Sequence, residues 1–348
     1  RSPFHNYLKD LGAVFGEVAG YERANWFSNL NQKPEYQYSW GKQNWFENQK
    51  KEHTAVRQNI GIFDMSSFGK IRVEGEGALN FLQEICTAQI NIQIGRIVYT
   101  QMLNEKGGIE SDLTISRLGE KSFLLVVPCA TLQRDLSYLN RKNNSKEVMI
   151  IDISSSEGVL SIMGPNSRKL LECVSPNNFS NSAHPFGTWK NIEIGSGLAR
   201  AHRVSYVGEL GWEIYISSDQ CAHVFEEIWK FQEEMKFNLC GIHALDSCRI
   251  EKAYRHFGHD ITDEDHIVDA GLSFTADLSK KRFEGKESIL NKRKVGSSKK
   301  MLQFKLNDPS KMIYHNEPVL RDNNIVGYLT SGNFGHTLGG CIGLGYVD

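Results

Sequence analysis

The sequence predicts an α+β fold built from more than one compact unit. Strand-like alternation and helix-like spacing of apolar residues take turns along residues 53–230, and glycine-containing turns between strands favour antiparallel pairs. From residue 296 onward the pattern changes to short alternating strands alone, which is typical of a small antiparallel barrel or sandwich. The chain has 348 residues, more than a typical single domain, so we expect two or three units with their own hydrophobic cores.

The first 50 residues are rich in aromatic and polar side chains but show no sustained period of either kind. Residues 1–50 are therefore predicted to be a connector that lies packed along another domain. The chain begins with Arg1 and not with Met, and residues 345–348 break off in a strand-like pattern. We expect both ends to be cuts within a longer polypeptide, so that the C-terminal barrel of residues 296–348 would be truncated.

The first α+β unit is predicted over residues 53–150. Residues 70–73 alternate as a half-buried strand, and residues 78–86 carry apolar side chains at helical spacing. Three further strand-like runs follow at residues 98–103, 113–117 and 123–127, with a glycine pair as the turn between the first two.

The second unit is predicted from residue 148 onward. Pro165 suits the first turn of a helix, because its missing N–H lies where a helix has no internal acceptor. Another helix is predicted from about Asp219, with Ser217 or Ser218 as its N-cap. Strands are predicted at residues 148–153, 159–163, 198–206 and 212–216, the last two as an antiparallel pair.

The composition excludes several classes of partner. The 40 Lys plus Arg residues nearly balance the 41 Asp plus Glu residues, so no broad positive field attracts nucleic acid or an anionic membrane. No run approaches the roughly 18 to 20 apolar residues that a membrane span needs, and the N-terminus lacks a signal pattern. Seven cysteines without a CxxC pair favour free thiols in a reducing compartment. We expect neither a nucleic acid nor a membrane as a partner.

Two acidic motifs carry the candidate chemistry. In residues 104–112 a glycine pair tightens a turn, and the following strand places Asp112 at the mouth of a sheet. In residues 206–215 two acids and three aromatic residues surround a glycine-kinked turn. Glu213 in that motif could accept the ring N–H and the exocyclic NH2 of a pterin as a fork, with Trp212 beside it against the ring. An ordinary turn carboxylate and an ordinary hairpin explain the two motifs equally well at this point.

Two other motifs predict no site. Residues 195–200 begin like a dinucleotide fingerprint, but Arg200 replaces the third glycine and a strand follows where a helix is required. A hairpin turn is favoured there, and no FAD or NAD site is predicted in this chain. Residues 256–260, with His266 and Asp269, hold ligand-type side chains, but their spacing fits no helix-borne metal motif. Neighbouring acidic residues favour a solvated loop, and no metal site is predicted.

Taken together, five segments resemble the folate-binding family that includes the glycine-cleavage T-protein and the C-terminal halves of dimethylglycine and sarcosine dehydrogenases. The resemblance covers nearly the whole chain. The segments that carry it are residues 61–70, 99–112, 164–168, 206–215 and 244–252.

The resemblance implies a T-protein-like three-domain arrangement around a central folate cavity. Residues 51–290 would form the aminomethyltransferase-type folate-binding domain, as two α+β subdomains with antiparallel sheets, and the C-terminal β-barrel would complete the cavity. The implied cofactor is tetrahydrofolate. T-proteins often carry paired aspartates at the catalytic turn, whereas Ser111 here leaves Asp112 as the only base. The implied site residues are catalytic Asp112 and Tyr99 and cofactor-binding Glu213, Tyr206 and Arg249.

The opening residues 2–27 and residues 254–260 are similar to the flavin-dependent demethylating dehydrogenases rather than to the free-standing T-protein. The resemblance then implies that the one-carbon unit of an oxidised N-methyl amine, an iminium ion, is captured to give 5,10-methylenetetrahydrofolate. Asp112 would accept the released proton, and we expect partial burial to raise its pKa. An FAD domain would act in cis or as a separate flavoprotein. The implied location is the cytoplasm of a bacterium or the mitochondrial matrix of a eukaryote.

Three alternatives remain open from the sequence. A glycine-cleavage aminomethyltransferase would take its aminomethyl group from a lipoyl carrier protein. A folate-dependent demethylase would move a methyl group from a sulfonium compound. A non-catalytic regulator, like the regulatory subunit of pyruvate dehydrogenase phosphatase, would act through protein contacts. Retention of Tyr99, Asp112, Glu213 and Arg249 favours a working site over the regulator.

Overall fold

The first residues of the chain form a helix and a two-stranded hairpin. The computed structural model describes residues 1–29 and 31–348. It begins with α1 (His5–Asp10), β1 (Ala13–Val18) and β2 (Tyr21–Phe27), and the two strands are antiparallel. No sustained period marks these elements in the sequence, because the helix has six residues and the strands six and seven. Phe4 and Leu8 of this segment are buried in the core of the second α+β unit.

The first sheet has the predicted antiparallel strands. The next elements along the chain are α2 (Phe46–Gln58), β3 (Gly61–Asp64), β4 (Gly69–Glu74), α3 (Ala78–Ile85), β5 (Ile97–Leu103), β6 (Ile109–Gly119), β7 (Ser122–Val127), α4 (Leu132–Lys142) and β8 (Met149–Asp152). Five of these strands form a sheet in the order β5-β6-β7-β4-β8, and every pair is antiparallel. One face packs Ile71, Ile115 and Leu125 against Leu82 of α3. This core is the one that the alternating pattern predicts.

The second sheet draws strands from two distant parts of the chain. Its further elements are β9 (Glu157–Met163), α5 (Ser167–Val174), β10 (Trp189–Ile194), β11 (Gly197–His202), β12 (Gly211–Ser217), α6 (Cys221–Trp229), α7 (Gln232–Met235), β13 (Asn238–Leu239) and α8 (Ile242–Glu251). The strand order is β10-β11-β12-β9-β3-β13, and only the short β13–β3 pair is parallel. The sequence predicts residues 53–64 in the first unit, but β3 pairs with β9 of the second. Such a distant pairing leaves no mark on local periodicity.

Several predicted positions in the second unit are wrong. Pro165 lies before α5, which begins at Ser167 with Asn166 as its N-cap residue. The sequence predicts the strand β8 in this unit, but β8 pairs with β4 of the first sheet.

Two further element boundaries in this unit are also wrong. β11 ends at His202 and not at Tyr206, because the chain leaves the sheet as a loop before β12 begins. The helix α6 begins at Cys221 with Gln220 as its N-cap residue and without a side-chain cap. The hydroxyl of Ser217, which the sequence offers as a cap, donates to the carboxylate of Asp219 instead.

The C-terminal unit is an open sheet rather than the predicted closed barrel. It contains α9 (Lys286–Val295), β14 (Lys300–Lys305), β15 (Pro318–Arg321), β16 (Asn324–Gly335) and β17 (Gly340–Val347). The strands pair antiparallel in the order β14-β17-β16-β15. Closure would require hydrogen bonds between the outermost strands β14 and β15, and the described residues form none.

The first and second sheets face each other across a shared apolar cluster. The first sheet contributes Leu124 and Val126 of β7, and the second contributes Val159 and Tyr215. Successive side chains of a strand point to opposite faces, so every second residue of these strands points toward the space between the sheets. No helix in residues 1–29 and 31–348 is both long and apolar enough to cross a membrane.

Candidate functional site

The turn that leads into β6 requires its glycine pair. The side-chain oxygen of Asn104 accepts hydrogen bonds from the backbone N–H groups of Lys106 and Gly108, at 3.0 and 2.9 Å. Gly107 has a φ of +82°, which favours glycine. A Cβ on Gly108 would lie 1.9 Å from the carbonyl oxygen of Asp263. The predicted tight turn is therefore confirmed, and it fixes where β6 begins.

Asp112 lies on the face of β6 that points toward the second sheet. Its neighbours Leu113 and Ile115 alternate with it, and both of these apolar side chains belong to the opposite face with the first core. Gln101 of β5 is directly opposite Asp112 in the antiparallel register, so both side chains share one face. The local alternation that sorts apolar from polar residues thus puts the carboxylate in the space between the sheets.

The surroundings of Asp112 suit a base that works near neutral pH. The Nε2 of Gln101 donates to its Oδ1 at 2.7 Å. Burial raises the pKa of Asp112 to about 6, while hydrogen bonding to Gln101 and Tyr99 and the charge of Arg255 lower it. Burial dominates because the free-energy cost of removing an ionised carboxylate from water exceeds the stabilisation that these partners provide.

The structure brings Tyr99 beside Asp112. Tyr99 lies two residues before Gln101 on β5 and so points to the same face as the carboxylate. The residue as a whole is 37% exposed, but its hydroxyl is desolvated and lies near the charge of Asp112. Both effects raise the pKa of Tyr99 well above its usual range. The hydroxyl therefore keeps its proton at neutral pH and is available as a donor.

Tyr206 reaches the same region from the loop between β11 and β12. Its hydroxyl donates to the backbone carbonyl of Arg255 at 2.6 Å. Its ring stacks on Tyr254, with 6.0 Å between centroids and an interplanar angle of 20°. Burial raises the pKa of Tyr206, so this phenol stays protonated near neutral pH. The hydroxyl proton of Tyr206 is held by the protein, while the oxygen can still accept a hydrogen bond.

Glu213 is buried on β12 with one protein donor. Its side chain is 8% exposed, and the hydroxyl of Tyr215 donates to its Oε2 at 2.8 Å. Burial raises the pKa of Glu213 to about 7, and the bond from Tyr215 lowers it. Trp212, which the sequence places beside it, points the other way into the core with Phe179. Tyr215 is therefore the aromatic neighbour of Glu213, because residues two apart share a strand face.

A histidine that the sequence did not single out completes this region. His202 is directly opposite Glu213 in the register of β11 and β12, and its ring lies 4.3 Å from that of Tyr215. It is 2% exposed, and burial lowers its pKa well below the usual range, so the imidazole is neutral. Its Nδ1 lies 3.4 Å from the hydroxyl of Ser116, while its Nε2 is buried without a hydrogen-bond partner in the described chain.

These contacts place both carboxylates on the facing sides of the two sheets. Ser116 and Asp112 lie four residues apart on β6 and point to the same face, roughly 13 Å apart along the strand. Ser116 meets His202 of the second sheet, and His202 pairs with Glu213. The space between Asp112 and Glu213 is therefore bounded by both sheets.

The polar groups in this space fit a pterin. Among the described residues only Oε2 of Glu213 has a donor, which leaves Oε1 as an acceptor for an N–H group. The unpartnered Nε2 of His202 is a second group that a planar heterocycle with donors and acceptors can satisfy. Two cavities of the described structure lie elsewhere, one of about 330 Å³ beside β15 and β16 and one of about 140 Å³ between α2, α8 and β16. The central folate cavity stays a prediction.

Arg249 has a structural position in α8. Its Nε donates to Asp246 at 2.6 Å, and its Nη1 donates to the carbonyl of Tyr254 at 3.0 Å. Nη1 also donates to Asp260 at 2.5 Å and Nη2 to Ser331 of β16 at 2.9 Å. Four of its five N–H donors are thus used within the protein. The side chain joins α8, the following loop and the C-terminal sheet, and its contact with a ligand stays a prediction.

The loop after α8 is less exposed than the sequence predicts. Asp260 is fully buried. Its carboxylate accepts hydrogen bonds from Arg249 and, at 2.6 Å, from the hydroxyl of Thr330, and these compensate for the loss of water. The rings of His256 and His259 lie 4.6 Å apart between centroids and are tilted by 53°. Within residues 1–29 and 31–348, no group of three or more His, Cys, Asp or Glu side chains is arranged to hold a metal ion.

Sequence reasoning missed several residues of this site. Gln101 carried a usable signal, because it lies two residues after Tyr99 and so shares its strand face. Tyr215 carried the same signal relative to Glu213. His202 and Arg255 carried none, since their positions depend on strand register and on a loop that folds back.

Comparison with protein families matches two parts of the chain. Residues 4–280 match the GCVT N-terminal domain, and residues 299–348 match the glycine cleavage T-protein C-terminal barrel domain. The crystal structure of glycine cleavage system aminomethyltransferase T from Bartonella henselae superposes with a TM-score of 0.84 and 27% identity, covering 99% of this chain and 89% of that chain. The predicted T-protein-like fold is thereby confirmed.

Three curated enzymes illustrate the sequence relatives. The 4-methylaminobutanoate oxidase (formaldehyde-forming) of Paenarthrobacter nicotinovorans is 40% identical, covering 100% of this chain and 42% of the enzyme. Mitochondrial sarcosine dehydrogenase of Homo sapiens is 32% identical, covering 100% and 42%. An aminomethyltransferase of Halothermothrix orenii is 35% identical, covering 85% and 82%. The chain spans less than half the length of the two oxidising relatives.

Proposed function

Because the chain belongs to the glycine-cleavage T-protein family, we propose that it binds tetrahydrofolate and captures on it the one-carbon unit of an oxidised N-methyl amine. The product would be 5,10-methylenetetrahydrofolate. The observation that carries the proposal is a pair of carboxylates, half-buried Asp112 and buried Glu213, on the facing sides of two sheets in a fold of this family.

Glu213 is the residue that would hold the pterin. A carboxylate accepts two parallel N–H donors in fork geometry, and charge strengthens both hydrogen bonds. Because the pKa of Glu213 is about 7, folate binding must also stabilise its ionised form. The hydroxyl of Tyr215 keeps one oxygen in place, and the neutral ring of His202 lies beside it. This region would orient the heterocycle without exposing it to water.

Asp112 is the residue that would accept the proton. Bound tetrahydrofolate would supply two nucleophilic nitrogens, N5 and N10, for the one-carbon unit. Capture of the one-carbon unit from an iminium ion would release the demethylated amine and one proton, and an ionised Asp112 could take that proton. Its negative charge also favours a cation nearby. The protonated Tyr99 can donate to the same carboxylate and so limit its orientations.

The relatives support an N-methyl amine as the source of the one-carbon unit. The names of two of them, 4-methylaminobutanoate oxidase and sarcosine dehydrogenase, specify such amines. An iminium ion is hydrolysed by water, so capture between two sheets would protect it and supply high effective concentration. The oxidation itself would occur at an FAD domain, in cis or in a separate flavoprotein.

The central test compares the wild-type chain with Asp112→Asn. The methylene iminium forms in solution from N-methylglycine and 13C-labelled formaldehyde, and 13C NMR follows 5,10-methylenetetrahydrofolate. We expect the wild type to accelerate its formation over the uncatalysed rate. Loss of the base should reduce that acceleration by about 100-fold or more, with folate affinity largely retained by calorimetry. Asp10→Asn, at an exposed position, is the matched control. An active Asp112→Asn variant would reject the assignment.

A second candidate function is aminomethyl transfer from a lipoyl carrier protein. It is favoured by the relative from Halothermothrix orenii, because the match covers 82% of that aminomethyltransferase. The test supplies an aminomethylated lipoyl protein and tetrahydrofolate and measures ammonia release. Ammonia release with no capture from the iminium would favour this function. Folate binding without either transfer would favour a regulatory protein.

A further inference from the structure

A buried glutamine fixes the orientation of the proposed catalytic base. Gln101 is fully buried, and its backbone is held on both sides by Thr87. The N–H of Thr87 donates to the carbonyl of Gln101 at 2.9 Å, and the N–H of Gln101 donates to the hydroxyl of Thr87 at 3.2 Å. The amide therefore extends toward Asp112 from a backbone with little freedom to move.

The far end of this amide meets a residue from a distant part of the chain. The hydroxyl of Thr275 donates to the Oε1 of Gln101, and the same hydroxyl lies 2.8 Å from the carbonyl of Leu272, so its proton is shared between these acceptors. An acceptor filled in this way turns the NH2 of the amide toward Asp112, where it donates at 2.7 Å. The reverse orientation would set a carbonyl oxygen against a carboxylate.

We propose that Gln101, oriented by the hydroxyl of Thr275, is the positioning residue that fixes Asp112 and leaves its second carboxylate oxygen free to take the proton. This inference rests on the proposed function. The amide occupies Oδ1, so proton transfer is directed to Oδ2. A carboxylate whose Oδ1 is held by the amide of Gln101 keeps a single orientation through the reaction, as a base must when it is within reach of only one nitrogen.

The titration of Asp112 depends on few other groups. Tyr99 of β5 faces the carboxylate, Arg255 contributes a positive charge from the loop after α8, and the neutral phenol of Tyr206 hydrogen-bonds to the backbone of Arg255. All three remain when Gln101 is replaced. Loss of a hydrogen bond to the ionised form should therefore raise the pKa of Asp112, since no neighbouring donor is removed with it.

The test uses Gln101→Leu, Thr275→Val and Thr275→Ser. The pKa of Asp112 is measured in the folate-free protein by 13C NMR of labelled carboxyl groups, and transfer from the iminium is measured from pH 5 to 8. For Gln101→Leu we expect both the pKa and the acid limb of the rate profile to rise by about one pH unit. Transfer at pH 6 should then fall roughly five- to tenfold. Thr275→Val should change both in the same direction, and Thr275→Ser should restore them.

An unchanged pKa and an unchanged profile in folded Gln101→Leu would overturn the proposal. If that variant does not fold, the Thr275→Val and Thr275→Ser pair decides, because the two differ in a hydroxyl far from the reacting atoms. A wild-type chain without transfer activity would reject the proposed function alone. The carboxyl titration would still show whether Gln101 controls Asp112, so the two failures are distinguishable.

Discussion

Replacing Glu213 with glutamine separates the cost of burying a carboxylate from its use in binding. Burial raises the pKa of Glu213 from 4.5 to about 7, so the folded protein holds this proton more tightly than the unfolded chain does. Stability from this group is therefore fully present below pH 4.5 and is lost as pH rises through about 7. Because each tenfold change in proton affinity corresponds to about 1.4 kcal/mol, the ionised carboxylate destabilises the fold by about 3 kcal/mol above pH 7.

Glutamine has nearly the same shape and carries no charge. Its side-chain oxygen can still accept the hydrogen bond from Tyr215, so the variant removes the charge and little else. At pH 8 we expect the free energy of unfolding of Glu213→Gln to exceed that of the wild type by up to about 3 kcal/mol, so the variant should unfold at a higher denaturant concentration. Near pH 4.5 the two proteins should be equally stable. The exposed Glu193→Gln on the same sheet is the control and should leave stability unchanged at both pH values.

The same variant should bind tetrahydrofolate about 100-fold more weakly, because a glutamine NH2 replaces one acceptor of the charged fork. Urea unfolding at pH 4.5 to 8 and calorimetric titration measure the two effects. The reasoning would be refuted if the variant were no more stable than the wild type at pH 8. It would also be refuted if the difference in free energy of unfolding between the two proteins did not change with pH. Unchanged folate affinity would remove Glu213 from the pterin site.

Other predictions follow from the same contacts. At saturating tetrahydrofolate the pKa of Asp112, about 6, should control the rate of transfer, which should be constant above pH 7 and fall about tenfold per pH unit below pH 5. A flat profile would exclude this base. Arg249→Met leaves Asp260 buried without its cation and should cost about 3–5 kcal/mol in chemical denaturation, whereas an unaffected midpoint would contradict the structural role. Gly108→Ala places a Cβ 1.9 Å from the carbonyl oxygen of Asp263 and should lower the thermal midpoint, whereas Gly41→Ala, whose added Cβ has its nearest atom at 3.6 Å, should change it little. Equal midpoints for the two variants would contradict the steric argument.

Much of the fold could be predicted because its signals are local. The strands around residues 70, 100, 115 and 125 lie where alternation places them, and the glycine pair before β6 forms the expected turn. Three features could not be predicted in this way. The hairpin of the first 27 residues is too short for a period, β3 crosses to the second sheet, and the C-terminal strands form an open sheet. Each depends on which strand pairs with which.

Part of the site could likewise be predicted from local signals. Neighbouring residues of a strand point to opposite faces of the sheet. Alternation within β6 and β12 therefore places Asp112 and Glu213 on the faces opposite the apolar cores of their own sheets. It also places Trp212 away from Glu213, which nearness in the sequence concealed.

The sequence by itself identified Asp112 and Glu213 as the candidate carboxylates. It also determined the turn before β6 and the family to which the chain belongs. Only the tertiary structure decided that the two carboxylates face one space, that Thr275 orients Gln101, and that the donors of Arg249 are used internally. The physical reason is the sequence separation over which each kind of interaction acts. Turn geometry and strand alternation act over a few residues, whereas burial and hydrogen bonding between distant segments exist only once the sheets have packed, and these set the pKa of both acids.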